Sequence, residues 1–440
     1  MSAAETSSPA LLRAVSRWQL VGLAVNDVVG SGIYLLPAAA AALLGGASVW
    51  AIVLAGVAAA LLVLCFAEAS SYFDQPGGAY LYTREAFGRF IGFEVGWMTW
   101  LSRVAAMASF ANGLVQATTY FWPAAAGGWA RAGIICALIV PLAGINIWGV
   151  GAGARTAVVL VIAKMLPLAF FVAVGAWFID GSHLLIFAAP RTGALGQAAL
   201  LLLFAYGGFE NTPVAAGEYH NPRRNVPFAL LAMILVVTLL YGAVQVVALG
   251  TLPGLARSSS PLAEAAQRFA GHPGAWLLTL GAMLSIIGIA GNTMLSGPRY
   301  LFALASDGYG PRWLAQVHAG YRTPAAAIGV QAVSVLVLAM SGSFVQLASL
   351  SVIARVATYI GTAAAVPILR RRMADRAAVR LPLGPAIPIA ALLVAAVLLG
   401  SATGTNLLST LGALAAGGVI FLLRRPQAGE QRPSRQALKR

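Results

Sequence analysis

The chain has 440 residues, 60% of them hydrophobic and 9% charged, with mean hydropathy +0.83 and a formal net charge of +15. Soluble domains carry about 25% charged residues, which excludes a water-soluble globular protein; the apolar runs are continuous, which excludes a barrel of alternating strands. Nor does the charge mark a nucleic-acid binder, because the basic residues follow the loops on one side of a membrane.

The opening MSAAETSSPALLRAVSRWQ is polar and leads straight into the first apolar stretch, without the pattern of a cleavable signal. Residues 21–44 are long enough to span a bilayer, but Gly30-Ser31-Gly32 interrupts them. Each glycine in a helix interior costs about 1 kcal/mol relative to alanine, and hydrocarbon offers an opened backbone no partner. Opening here frees amides near residues 30–33 at the positive end of a second half-helix, a site for a carboxylate. Carbonyls freed just before the break suit an ammonium or a cation. A zwitterion needs both. The competing reading is close packing of small residues against a neighbouring helix.

At about 20 apolar residues per span, twelve segments follow: approximately 18–44, 47–72, 90–122, 130–150, 154–180, 194–219, 226–252, 273–305, 323–341, 343–369, 383–402 and 404–423. With the N-terminus in the cytoplasm, inner segments hold 20 basic residues and outer loops 4 (Arg131, Arg191, Arg257, Arg268), so both termini are expected inside. Cys65 and Cys136 lie singly in apolar spans and read as small buried hydrophobes. Loop 74–89 reads as a turn and a short amphipathic helix. In outer loop 253–272, Ser260 before Pro261 reads as the N-cap of another short helix. The basic tail after Arg424 is expected to be disordered and drawn to anionic lipid.

Span six is broken in turn, by Gly207-Gly208, and punctuated by Pro213. Gly30 and Gly207 are 207 − 30 = 177 residues apart, which is five spans. Five is odd, so the second set of helices is expected upside down relative to the first. Two interrupted spans at matching places in inverted halves point to a substrate site at the midplane.

The intramembrane polar residues are few. Lys164 sits mid-span five, and the only other lysine is Lys439 in the tail. A lysine at the bilayer centre costs about 2.5–3.5 kcal/mol on insertion scales, so it should face the bundle interior with a partner. Asp27, three residues before Gly30, satisfies freed amides, pairs with a cation, or makes a local helix-end hydrogen bond. Arg103 on span three reads as a selector for an acidic or polar substrate side chain, or as the partner of Glu210 or Glu94. The pair is favoured, because an unpaired intramembrane arginine is costly. Arg355 and Glu68 read as members of inner-side polar networks. Phe204, Tyr206 and Phe209 flank the second break as candidate lids, with Trp97 and Trp100 more distant. Met107 and Met294 read as pocket lining or as packing. His183, His220, His272 and His318 fall at loops and no HExxH occurs, which leaves an intramembrane enzyme as a distant alternative.

The stretches VGSGIYLLP (29–37), FAEASSYFDQPGGAYLYTREAFG (66–88), FAYGGFENTPVAAGEYHNPRRNVPFALL (204–231), PRYLFALASDG (298–308) and HAGYRTP (318–324) carry a resemblance. The chain resembles the amino acid–polyamine–organocation superfamily, specifically bacterial amino-acid permeases, over about residues 15–425. The resemblance implies an all-α integral membrane protein of twelve transmembrane helices, a leucine-transporter-type five-plus-five inverted repeat plus two C-terminal helices. Its parts would be a cytoplasmic segment 1–17, a first repeat 18–180, a second repeat 194–369, two additional helices 383–423 and a cytoplasmic tail 424–440.

By the same resemblance, backbone amides at Gly30, Ser31 and Gly32 bind a substrate carboxylate, with the Ser31 hydroxyl as a further donor. Carbonyls of Val28, Phe204 and Gly207 hold the α-amino group, and Gly207 and Gly208 leave room for the substrate. Lys164 stands where a sodium ion sits in sodium-coupled relatives. It would touch the unwound part of span one and a hydroxyl on span eight, for which Ser285 is the candidate. Lys164 then couples or gates transport, or statically locks spans one, five and eight. Glu210 is expected at the external side of the pocket as a gate or protonation residue, or as a carboxylate solvated in the vestibule. The implied activity is sodium-independent amino-acid transport across the bacterial inner (cytoplasmic) membrane by alternating access, with proton-coupled uptake; obligate exchange of amino acids, or of an amino acid for an amine, is the alternative. Neutral amino acids are the first expected substrates, with membrane lipid as surroundings and no cofactor, metal or nucleic acid.

Overall fold

A computed structural model describes residues 15–74, 77–149, 154–184, 193–376 and 378–424. Residues 1–14, the tail from 425 and Arg191 lie outside the described residues. Among those described, regular structure is helical, apart from one parallel bridge between Val15 and Tyr219.

The first apolar stretch forms two helices, α1 (Arg17–Val28) and α2 (Ser31–Leu44), followed by α3 (Ser48–Ser71), the short α4 (Gly78–Phe87) and α5 (Arg89–Thr118). Next come α6 (Gly128–Trp148), α7 (Ala154–Gly175) and α8 (Ala194–Tyr206), which gives way beyond Gly208 to a 3-10 run, Phe209–Glu218. Then come α9 (Pro222–Thr251), α10 (Pro261–Leu304), α11 (Ala325–Ser341), α12 (Phe344–Arg372), α13 (Ala386–Gly400) and α14 (Gly404–Leu423). Both spans expected to break are therefore interrupted.

Among the described residues, six stretches are long and apolar enough to cross a membrane: Ser31–Ser71, where α2 and α3 run together, and Gly128–Trp148, Pro222–Thr251, Pro261–Tyr309, Phe344–Arg372 and Gly404–Leu423. Helix α5 has 30 residues but carries Arg89, Glu94 and Arg103, and most of its length is buried between other helices. Polar side chains are tolerated there because neighbouring helices shield them from lipid. On the outside of the bundle, Leu239, Val337, Leu393 and Leu411 stand 61–68% exposed. Such a belt of large apolar side chains suits hydrocarbon and not water.

Local chemistry starts the helices. Ser16 and Gln19 form a reciprocal capping box at α1, and Ser343 with Gln346 does the same at α12. At α10 the expectation needs correction. Pro261 opens the helix, but the Ser260 hydroxyl makes no cap; instead the Glu264 carboxylate accepts the Ser260 N–H at 3.2 Å. Nor is the outer helix separate, since it runs through a kink at Gly271 (φ 62°) into the span. Helix α4 is the short helix read in loop 74–89, and its Tyr80 and Arg84 both reach Asp307 just beyond α10.

On the side of the N-terminus, Glu68 is fully buried at the end of α3. Its carboxylate accepts from Arg370 Nε at 2.5 Å and Nη2 at 2.6 Å, from Tyr72 at 3.1 Å and from the Leu381 N–H at 3.0 Å. This bidentate pair ties α3 to α12 and to the strap that leads into α13. Removing one partner of a buried pair strands the other charge. Glu68→Ala is therefore expected to cost about 3 kcal/mol, read as a lowered melting temperature in detergent; an unchanged melting curve would show that the pair contributes little.

Candidate functional site

The two interruptions lie against each other. Helix α1 closes with the Val29 N–H donating to Val25 at 2.9 Å, and α2 begins at Ser31 with no side chain capping it. The break thus falls at Val29–Gly30, and Ser31 and Gly32 are already the first residues of the second half-helix. A Cβ on Gly32 would sit 2.6 Å from the Ala205 backbone, so glycine here lets span one cross span six at close range. At Gly208 the backbone has φ 127°, a region that side chains disfavour. A Cβ there would collide with the Asp27 carbonyl. The ends on the side of the N-terminus are also joined, where the His220 N–H donates to the Val15 carbonyl at 3.1 Å.

The freed carbonyls of span one have specific partners. Lys164 Nζ donates to Asn26 at 2.7 Å and to Val29 at 2.8 Å. Ser285 Oγ donates to the same Val29 carbonyl at 3.2 Å. Lys164 is 2% exposed, and its own carbonyl accepts from the Tyr34 hydroxyl at 2.9 Å. The ammonium thus brings α7 onto the span-one break, with α10 beside it. Asp27 neither caps freed amides nor forms an ion pair with Lys164 within 4.0 Å; its carboxylate accepts from the Asn292 side chain.

Other expectations shift. The Val28 carbonyl, assigned to a substrate ammonium, lies 3.3 Å from the Tyr241 hydroxyl, and the Phe204 carbonyl accepts the Gly207 N–H at 3.1 Å. The space over Gly207 is filled by the Arg355 guanidinium, and that over Gly208 by Asp27. These glycines permit close approach of protein groups; they do not open a roomy pocket. Tyr206 is no lid either: it is fully buried, its hydroxyl donates to Ile52 at 3.3 Å and its ring packs on Tyr241. Phe209 stacks on Tyr359 at 5.4 Å and meets Phe66 edge-on, which locks the second half of span six to α3 and α12. Phe204 lies between Phe110 and Phe344. Trp97 and Trp100 donate to Ala413 on α14 and to Gln331 on α11, well away from a lid position. Met107 and Met294 are fully buried in the apolar core.

Glu210 is the centre of a charged triad. One oxygen accepts the Gly208 N–H at 3.0 Å; the other lies 3.2 Å from Arg355 Nε and 3.6 Å from Arg103 Nη2. Of the partners considered for Arg103, the structure pairs it with Glu210, while Glu94 faces Gly417 on α14. Arg355 belongs to this triad and not to the network of Glu68. Glu210 also lies on the half of span six that runs on to Tyr219, beside Val15. That half lies on the same side as the N-terminus.

Two polar atoms at the break have no hydrogen-bond partner among the described groups, Ser31 Oγ and Asn26 Oδ1, both deeply buried. Buried hydroxyls are rarely left so. Together with the uncapped first turn of α2, Ser31 offers donors to a carboxylate. Among the described residues no three His, Cys, Asp or Glu side chains gather to hold a metal ion. Tyr241 was missed by sequence reasoning: its hydroxyl reaches both Val28 and Ala205, at 3.3 and 3.0 Å. Its only signal was a lone polar ring in the middle of an apolar span.

A helical bundle with two broken, mutually packed spans and a buried polar site between them has the form of a polytopic membrane transporter. The chain belongs to the amino acid permease family, whose model matches residues 15–417, and so to the amino acid–polyamine–organocation superfamily. It is 27% identical to the methylthioribose transporter of Bacillus subtilis, over 96% of this chain and 95% of the relative. It is 30% identical to the serine/threonine exchanger SteT of the same organism, over 88% and 90% of the two chains. It is 26% identical to the branched-chain amino acid permease BcaP, again of Bacillus subtilis, over 96% and 95%. These relatives are transporters, and this chain is a transporter and not an enzyme.

The crossing geometry yields a paired test. Gly208→Ala combines a disfavoured φ with a collision against Asp27 and should cost about 1–3 kcal/mol or more. Gly22→Ala in α1, where nothing lies within 4 Å of the added Cβ, should stabilise by about 0.5–1 kcal/mol. Thermal melting of the two variants against wild type measures both; equal effects would show that the Gly208 crossing is not tight.

Proposed function

We propose that this protein is a sodium-independent amino-acid carrier working by alternating access, with proton-coupled uptake. In this reading twelve spans form two inverted five-helix repeats, 18–180 and 194–369, with two further helices over 383–423. Both termini face the cytoplasm of a bacterial inner membrane, on the strength of the basic residues in the loops on that side. The amides that open α2 and the Ser31 hydroxyl receive the substrate carboxylate. The amino group is held by carbonyls of the two breaks, which Tyr241 and Gly207 must release or share.

One observation carries the sodium-independent reading: the Lys164 ammonium lies 2.7 and 2.8 Å from the carbonyls of Asn26 and Val29. Carbonyls at a helix break are the groups that would otherwise coordinate a cation. A fixed ammonium supplies that charge from within the chain. The proton-coupled reading makes Lys164 a group that gains and loses its proton through the cycle. Obligate exchange remains the second reading, supported by the 30% identity to a protein named as a serine/threonine exchanger.

The reading is tested with purified protein in liposomes. Thermal stabilisation by each of the twenty amino acids identifies the ligand, because a compound that binds only the folded state raises the melting temperature. Counterflow of that compound then establishes transport. Uptake should persist in sodium-free vesicles, and an absolute sodium requirement would overturn the role given to the ammonium. Lys164→Ala is expected to fold yet to lose transport or its dependence on the proton gradient; wild-type coupling in that variant would reduce the lysine to a static brace. Uptake that requires substrate on the opposite side, and ignores a proton gradient, would select exchange.

A further inference from the structure

The charged groups around the two breaks do not balance. Lys164, Arg103 and Arg355 are 2–4% exposed, and Glu210 is 2% exposed. Asp27 sits at the same crossing, its carbonyl against Gly208, whose N–H Glu210 accepts. Among the described residues, three cations stand beside two carboxylates around the breaks, while the buried Glu94 faces away toward α14. An excess charge is expensive to hold away from water.

The excess can be assigned to one residue. Lys164 is solvated by two backbone carbonyls. Arg355 lies nearer to Glu210 and also donates through Nη2 to Ser351 at 3.2 Å, which in turn donates to the Ser102 carbonyl at 2.9 Å. Arg103 bonds the Tyr300 side chain and lies farther from Glu210 than Arg355 does. Its Nη2 is 3.6 Å from Glu210, beyond hydrogen-bond range, and its guanidinium carbon lies 5.9 Å from the centre of the Tyr300 ring. Both its Nε and its Nη2 lack a hydrogen-bond partner among the described groups. Those two N–H groups form one edge of the guanidinium, the fork that matches the two oxygens of a carboxylate.

We propose that the substrate supplies the missing anion: an amino acid with an acidic side chain, whose distal carboxylate docks on the Nε/Nη2 edge of Arg103. Its α-carboxylate and ammonium are gripped at the breaks, so the proposal rests on the amino-acid-carrier reading above. Glu210 orients Arg355 and limits the site to one added negative charge. This departs from the neutral substrates expected from Gly207 and Gly208, whose surroundings are filled by Arg355 and Asp27.

The test compares acids with their near-isosteric amides. Full-length protein is reconstituted in liposomes preloaded with a mixture of the twenty amino acids. Counterflow of labelled L-aspartate, L-asparagine, L-glutamate and L-glutamine is then titrated. At least one acid should half-saturate at about 10- to 100-fold lower concentration than its amide, the ratio that a charge-assisted hydrogen bond commands. In Arg103→Gln that ratio should fall to about one, and Arg103→Lys should recover part of it. Should either variant not fold, the wild-type ratio decides alone. Amides that match or beat both acids would overturn the acidic-substrate proposal and leave the carrier reading standing. If none of the twenty amino acids drives counterflow, the carrier reading itself fails and takes the proposal with it.

Discussion

A peptide group released from its helix inside hydrocarbon must find a new partner, and the break at Val29–Gly30 releases several at once. The surrounding structure is arranged to meet that demand. Lys164 and Ser285 converge on the Val29 carbonyl, Lys164 adds Asn26, and Tyr241 reaches Val28. Three helices, α7, α9 and α10, are brought to the gap by polar atoms and not by shape alone. The donors at the start of α2 have no protein side chain that caps them. The asymmetry is chemical: the carbonyl side of the gap is satisfied by the chain, and the amide side is left to something else.

Close backbone approach is what makes this possible. Gly32 against Ala205 and Gly208 against Asp27 bring the two breaks to the same depth. At that depth the charged residues gather as well, with Glu210 receiving the Gly208 amide and facing two arginines. The site is therefore built from backbone first, with side chains recruited around it.

Much of this was legible in the sequence, and the reasons are physical. The breaks follow from Gly30-Ser31-Gly32 and Gly207-Gly208 in otherwise continuous apolar runs. Lys164 announced itself because an isolated intramembrane lysine has few places to go. What was not legible depended on helix facing. Arg355 and Glu68 look alike in sequence, yet one turns toward Gly207 and the other toward Arg370. Tyr206 and Phe209 flank the break in sequence but point into neighbouring helices, since a one-residue step on a helix turns the side chain by about 100°. Tyr241 was hidden because a tyrosine in an apolar span is most often packing, and only the positions of Val28 and Ala205 reveal its hydroxyl's targets.

That hydroxyl has a single hydrogen to give, and two carbonyls, one from each broken span, stand within reach of it. It behaves like a shared hinge pin. If the helix ends at the gap slide apart, the hydrogen can follow one carbonyl while the other is freed for a visiting ammonium. Small relative motions of the two discontinuous spans would then cost little, because one bond is traded for another instead of being lost.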